Sequence, residues 1–216
     1  MCGITGMIRL DGHPVSPVTL KRMTDAIAHR GPDGEGHWIE KNVGIGHRRL
    51  SIIDLSSAGH QPMLSADGRF VLSFNGEVYN FKELRIELES AGFTFRSKTD
   101  TEVVLHALTY WGYQKALPKF NGMFALAFWD REQSELLLAR DRYGVKPLYY
   151  SLQNNTLAFA SEQKAILSDS GFQRNLNKAA LLEYFTFQNL FTNQTLFEDI
   201  SILPTGHYAT INLKNN

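Results

Sequence analysis

Met1-Cys2-Gly3-Ile4-Thr5-Gly6 opens the chain and contains its only cysteine. If Met1 is removed, Cys2 carries both a thiol and a free α-amine, which are a nucleophile and a base in one residue. Their ordinary pKa values of roughly 8.5 and roughly 7.7–8.0 allow a proton to pass between them near neutral pH. The plainer interpretation is a small buried cysteine that begins a strand. Position 2, directly before Gly-Ile, favours the nucleophile.

The composition narrows the class of protein. The 216 residues provide one large domain or two small ones, and 22 basic residues balance 22 acidic ones, so the charge does not indicate a nucleic-acid partner. We find neither a signal peptide nor an apolar run long enough to span a bilayer. A single cysteine excludes an internal disulfide framework. The composition therefore predicts a cytoplasmic protein that binds neither nucleic acid nor membrane.

Hydrophobic spacing predicts an α+β fold, because helices occur in pairs and strands in runs. The predicted strands span residues 4–10, 37–39, 43–53, 70–74, 123–129, 136–139, 148–152, 156–160 and 207–213. The predicted helices begin after Ser16, at Asn80 and at Asp100, and also cover residues 163–167 and 178–187. Gly92 and Trp111 mark the predicted ends of the second and third helices.

Two polar segments precede or interrupt apolar strands. Residues 29–34 (H-R-G-P-D-G) suit a tight loop, although the glycines and proline are equally explained by the end of a helix. Arg48 and Arg49 lie inside the apolar run 43–53. A guanidinium binds a carboxylate through two parallel hydrogen bonds, whereas the alternative is a solvated strand edge. Strand alternation places Arg48 and Arg49 on opposite faces, so only one can point into a site.

Two further segments allow either a structural or a chemical interpretation. Asn75-Gly76 is a typical hairpin turn on spacing alone, yet an amide and an adjacent backbone N–H are also the two donors of an oxyanion hole. Asp100 suits the N-cap of a helix, or a partner for an ammonium group. The seven histidines are scattered and form no H-E-x-x-H motif, so we predict no metal site.

Taken together, these segments resemble the class II, N-terminal-nucleophile glutamine amidotransferase domain of glutamine-hydrolysing asparagine synthases. The motifs that carry the resemblance are M-C-G-I-T-G (1–6), H-R-G-P-D-G (29–34), H-R-R-L-S-I-I-D (47–54), F-N-G-E-V-Y-N (74–80), K-T-D-T-E-V (98–103), N-G-M-F-A-L-A-F-W-D (121–130), A-R-D-R-Y-G-V-K-P-L-Y-Y (139–150), A-S-E-Q-K-A-I-L (160–167) and L-P-T-G-H-Y (203–208). They cover essentially the whole chain.

The resemblance implies a four-layer αββα sandwich of two antiparallel sheets, and it implies a role for each site residue. Cys2 would be the nucleophile with its own α-amine as base, and Asn75 with Gly76 would form the oxyanion hole. Arg49 would bind the α-carboxylate of L-glutamine and Asp100 its α-ammonium. The remaining substrate-binding residues implied are Leu50, Ile52, Ile53 and Glu77.

The resemblance also implies hydrolysis of L-glutamine to glutamate and ammonia, as the glutaminase half of an asparagine synthase. We expect residues 1–216 to be one type-2 glutamine amidotransferase domain that needs no cofactor. The S-G-G-x-D-S phosphate loop of the family's C-terminal synthetase domain does not occur. That partner domain, which uses ATP and Mg to activate aspartate, is therefore expected to be absent.

Two alternatives stay open at this point: a related amidotransferase half with another ammonia acceptor, or a silent ligand-sensing domain. The intact set of site residues argues against the silent domain. The sequence leaves the oligomeric state open.

Overall fold

Two antiparallel sheets form the centre of the molecule. The computed structural model describes residues 1–214. In chain order, the strands are β1 (Gly3–Arg9), β2 (Gly34–Glu40), β3 (Val43–Arg49), β4 (Met63–Leu64), β5 (Phe70–Val78), β6 (Gly122–Asp130), β7 (Glu135–Arg140), β8 (Tyr149–Gln153), β9 (Thr156–Ala160), β10 (Ile200–Ile202) and β11 (Tyr208–Asn212). The first sheet has the order β10-β8-β9-β1-β3-β2, and the second has the order β11-β7-β6-β5-β4.

The helices lie outside the two sheets. They are α1 (Pro17–Asp25), α2 (Phe81–Ser90), α3 (Asp100–Trp111), α4 (Tyr113–Ala116), α5 (Gln163–Ile166) and α6 (Lys178–Phe187). Apolar residues of α1 and α5 pack on the first sheet, and those of α2, α3 and α4 pack on the second. A third apolar cluster fills the space between the sheets. The predicted four-layer αββα sandwich is therefore confirmed.

Strand β1 lies inside the first sheet because its residues are apolar or small on both faces. Ile4 and Ile8 contact the second sheet, whereas Met7 points to α1 and α5. The strand pairs with β3 on one side and β9 on the other. This arrangement places Cys2, the residue before β1, at the end of the space between the two sheets.

The helix and strand predictions are largely confirmed, with consequential errors at the ends of two strands. Strand β5, predicted over residues 70–74, continues to Val78. The predicted strand 43–53 ends at Arg49, because the last partners available on either side are Gly3, opposite Arg48, and Gly34, opposite Arg49. The four residues that follow form a loop instead. The short strands β4 and β10 were not predicted. No helix among residues 1–214 has the length and apolar character needed to cross a membrane.

Candidate active site

One pocket brings all the predicted site residues together. It has a volume of about 190 Å³ and opens where the two sheets meet the loop after β3. Its lining includes Cys2, Arg49, Leu50, Ile52, Ile53, Asn75, Gly76, Glu77 and Asp100. These residues come from the segment before β1, from β3, β5 and α3, and from the loop after β3, so only the folded chain assembles them. Their chemical roles stay predictions.

The Cys2 thiol is held by the backbone of Leu50. The Leu50 N–H donates to Sγ at 3.3 Å, and the thiol donates to the Leu50 carbonyl at 3.6 Å. Burial raises the pKa of the Cys2 thiol, while the hydrogen bond from Leu50, the amino terminus and Arg49 oppose that rise. Ending β3 at Arg49 is what frees Leu50 for these contacts.

Residues with no predicted site role hold the backbone on either side of Cys2. Arg30 Nε donates to the Cys2 carbonyl at 2.9 Å, and its Nη1 donates to Glu162 at 2.9 Å. The Ile4 N–H donates to Ser161 Oγ at 3.0 Å. Residues of the motifs 29–34 and 160–167 therefore hold the backbone around Cys2. The first motif stands out in the sequence as a polar segment, whereas the second is noted only as part of the resemblance.

The loop 29–34 is more than the end of a helix. A Cβ atom at Gly31 would lie 2.3 Å from the Arg48 carbonyl carbon and 2.4 Å from the Arg49 nitrogen, so only glycine allows the loop to press against β3. Asp33 then accepts a hydrogen bond from the Ser51 N–H at 2.8 Å. The loop thus orients both Cys2 and the segment after β3.

Asn75 and Gly76 lie inside β5, so the hairpin-turn interpretation is wrong. They pair with Ala125 and Phe124 of β6. A Cβ atom at Gly76 would lie 2.3 Å from the Met123 carbonyl oxygen, which explains the glycine by close approach and not by a turn. The side-chain nitrogen of Asn75 is buried and has no hydrogen-bond partner among residues 1–214.

The Gly76 N–H points to the free edge of β5. Strand β4 pairs with β5 only at Val71 and Leu72, so that edge is open beyond them. The Phe74 N–H donates there to Gln61 at 2.6 Å, and the Val78 N–H donates to Asp100 at 3.0 Å. Successive residues of a strand direct their backbone groups to alternate sides. Gly76 therefore presents its N–H between these two, on the pocket side.

Asp100 does not cap α3, contrary to the capping interpretation. Thr99 is the N-cap, and its side chain accepts the Glu102 N–H at 3.3 Å. The Asp100 carboxylate instead turns to β5 and lines the pocket. Burial raises the pKa of Asp100 to about 6; the N–H groups of Val78 and Thr101 oppose the rise, and Glu77 adds to it.

The two arginines of β3 point to opposite faces, as strand alternation predicts. Arg48 forms ion pairs with Asp25 and Glu35 outside the pocket. Arg49 lines the pocket, and its two terminal nitrogens donate to the carbonyls of Asp54 and Ser56. A guanidinium has five N–H donors, so these two hydrogen bonds use two of them.

Lys146 is the pocket residue that sequence reasoning missed most completely. It is 5% exposed and lines the pocket with Cys2. The motif 139–150 was recognised only as part of the resemblance, because nothing in its spacing says that a lysine turns inward. Among residues 1–214 no group of three or more His, Cys, Asp or Glu side chains could hold a metal ion.

The model of the glutamine amidotransferase domain family matches residues 1–216. The chain belongs to the glutamine amidotransferase domain family. Among its relatives, asparagine synthetase [glutamine-hydrolyzing] 1 of Bacillus subtilis is 40% identical over 217 residues, which cover 98% of this chain and 33% of that protein. Asparagine synthetase [glutamine-hydrolyzing] 2 of the same organism is 39% identical over 224 residues, covering 100% of this chain and 30% of that protein.

The chain spans about a third of the length of the curated relatives it matches. A solved structure with the same fold is the glutamine phosphoribosylpyrophosphate amidotransferase of Bacillus subtilis in complex with ADP and GMP. It superimposes with a TM-score of 0.69 at 19% identity, over 100% of this chain and 50% of that chain.

Proposed function

We propose that this chain hydrolyses the side-chain amide of L-glutamine to glutamate and ammonia. The observation that supports the proposal most strongly is the Asn75 side chain. Its buried nitrogen has no hydrogen-bond partner among residues 1–214, and Asn75 lines the pocket that contains the Cys2 thiol. Leaving a buried donor unpaired costs about 1–3 kcal/mol of stability, and an oxyanion hole requires such a donor. The Gly76 N–H on the same edge supplies the second donor.

The charges of the pocket suit a free amino acid. Glutamine is a zwitterion, so its recognition needs a cation and an anion at separate points of a small cavity. Arg49 offers N–H groups of its guanidinium to the α-carboxylate, and Asp100 offers a carboxylate to the α-ammonium. Glu77 and the loop residues Leu50, Ile52 and Ile53 complete the binding surface around the side chain of the substrate.

The chemistry then follows from a processed amino terminus. The Cys2 sulfur attacks the amide carbon, its proton moves to the α-amine, and the amide oxygen takes up the electron pair between Asn75 and Gly76. The α-ammonium returns the proton to the leaving nitrogen, the C–N bond breaks, and ammonia departs. Water, activated by the same amine, cleaves the γ-glutamyl thioester to glutamate and restores the thiol.

We further propose that the full-length protein passes this ammonia to an ATP- and Mg-dependent synthetase region that activates aspartate. The support is that both of the relatives described above are named asparagine synthetases and are about three times as long as this chain. A second observation agrees with this proposal. Four apolar side chains on and just after α6 are each more than half exposed: Leu182, Phe185, Phe187 and Phe191. Exposed apolar surface of this kind is typical of a face that another protein region covers.

Ammonia release from glutamine tests the proposed activity directly. The processed chain should release ammonia and glutamate in equal amounts when L-glutamine is added. Cys2→Ala should release neither while keeping the same circular dichroism spectrum. A Cys2→Ala variant as active as the unaltered chain would refute the proposed function.

A further inference from the structure

The motif at residues 139–150 places a buried lysine beside the amino terminus. Lys146 is 5% exposed, and lysine is almost never fully buried unless it is paired with an opposite charge. None of the steps proposed above uses this residue.

The loop that carries Lys146 is rigidly held. Arg140 Nε donates to the Lys146 carbonyl at 2.8 Å. The fully buried Asp141 carboxylate accepts backbone N–H groups at 3.0–3.2 Å from Phe124, Tyr143, Val145 and Lys146. Because this carboxylate is occupied by the backbone, it fixes the position of Lys146 without pairing with its ammonium.

The Lys146 ammonium has no carboxylate partner among the described residues. The lysines that form ion pairs within residues 1–214 are Lys21, Lys119 and Lys164. Lys146 Nζ instead donates to the thioether sulfur of Met1 at 3.2 Å. A thioether is a weak acceptor, and it leaves the chain if Met1 is removed.

The charged groups around this ammonium come from several elements. Arg30, which binds the Cys2 carbonyl, repels it, while Cys2, Asp141 and Glu77 attract it; burial is the largest influence and lowers the pKa of Lys146. On the Cys2 side, the facing charges are the amino terminus, Arg49 and Asp100. Lys146 therefore adds a positive charge where the nucleophile and its base would act.

We propose that Lys146 is a positioning residue, whose charge lies beside the new amino terminus after Met1 is removed and favours the neutral α-amine and the ionised thiol of Cys2. A neighbouring cation disfavours protonation of an amine and favours a thiolate. The charge of Lys146 therefore keeps the α-amine of Cys2 neutral at a lower pH than it would otherwise be. The inference rests on the proposed function for its kinetic test, and a second test is independent of that function.

The kinetic test is the pH profile of kcat/KM for glutamine hydrolysis. Lys146→Met removes the charge and keeps a similar length, so the acidic limb of its profile should move up by about one pH unit. One unit charge produces a shift of that size at roughly 10 Å in an effective dielectric constant of about 20. Lys146→Arg should keep the limb of the unaltered chain. Lys82→Met, at an exposed position of α2, is the matched control and should change nothing.

The second test measures alkylation of Cys2 by iodoacetamide across the same pH range, without glutamine. The midpoint for Lys146→Met should again lie higher, and the difference should vanish in guanidinium chloride. If Lys146→Met does not fold, Lys146→Gln replaces it in both tests. Unchanged profiles in the neutral variants would overturn the proposal. Loss of activity in Lys146→Arg as complete as in Lys146→Met would also overturn it, since the lysine would then be a proton acceptor. A processed chain that releases no ammonia would refute the proposed function alone.

Discussion

Asp100→Asn is expected to stabilise the fold while it weakens glutamine binding. Burial raises the pKa of Asp100 to about 6 from its ordinary value of 3.8. At roughly 1.36 kcal/mol per pH unit, ionised Asp100 opposes folding by about 3 kcal/mol at neutral pH. Asparagine keeps an oxygen that can accept the Val78 N–H, but it never ionises. The free energy of unfolding should therefore rise by up to about 3 kcal/mol.

The sign of this effect changes with pH in a defined way. Below about pH 4 the carboxyl is protonated in both the folded and the unfolded chain, so the variant has no advantage from this source. Between about pH 4 and pH 6 the unfolded chain releases its proton first, so the stability of the unaltered chain falls relative to the variant. Above about pH 6 the difference stays constant.

Equilibrium unfolding in guanidinium chloride, at a series of pH values, measures this difference. A Cys2→Ala background prevents turnover, so glutamine can be added as a ligand in the same experiment. Glutamine should stabilise the chain that retains Asp100 and have much less effect on Asp100→Asn. Two results would refute the reasoning: a stability difference that is the same at pH 4 and pH 7, or equal stabilisation of both chains by glutamine.

Three further predictions concern the same pocket. Arg49→Lys should raise the KM for glutamine about tenfold, the equivalent of about 1.4 kcal/mol, because an ammonium cannot replace two parallel guanidinium hydrogen bonds. Arg48→Lys is the control, because the Arg48 side chain is paired outside the pocket. An unchanged KM in Arg49→Lys would show that the α-carboxylate binds elsewhere. Asn75→Ala should lower kcat by about 10²–10³-fold with little change in KM, and a loss confined to KM would contradict the oxyanion role. Molecules that retain Met1, identified by intact mass, should be inactive. The processed form should gain activity as pH rises through the pKa of its α-amine. Full activity in a sample that wholly retains Met1 would exclude the amine as base.

Hydrophobic spacing was sufficient for most of the fold. The apolar periods of β1, β6, α1 and α3 predict these elements near their observed positions, because their apolar residues face the cores on either side of the two sheets. Hydrophobic spacing did not predict the end of a strand that stops because no neighbouring strand remains to pair with it. The residues after Arg49 look like a strand, yet no neighbouring strand remains to pair with them.

The pocket residues could be predicted from the resemblance, but their local structure could not. Asn75-Gly76 has the composition of a turn, and only the pairing with β6 shows that the glycine is required by close approach. Arg30 and Lys146 reach the amino-terminal residues from distant segments of the chain. Their contacts depend on how far each side chain reaches across the folded molecule, which local patterns do not encode.

Covalent labelling by 6-diazo-5-oxonorleucine, an electrophilic analogue of glutamine, tests the central claim that Cys2 is the nucleophile of a glutamine pocket. Peptide mass spectrometry of the inactivated, processed chain should find the label on Cys2. Added L-glutamine should slow the labelling, and Arg48→Lys should label at the same rate as the unaltered chain. A chain that loses its glutaminase activity to the analogue while Cys2 stays unlabelled would contradict the account.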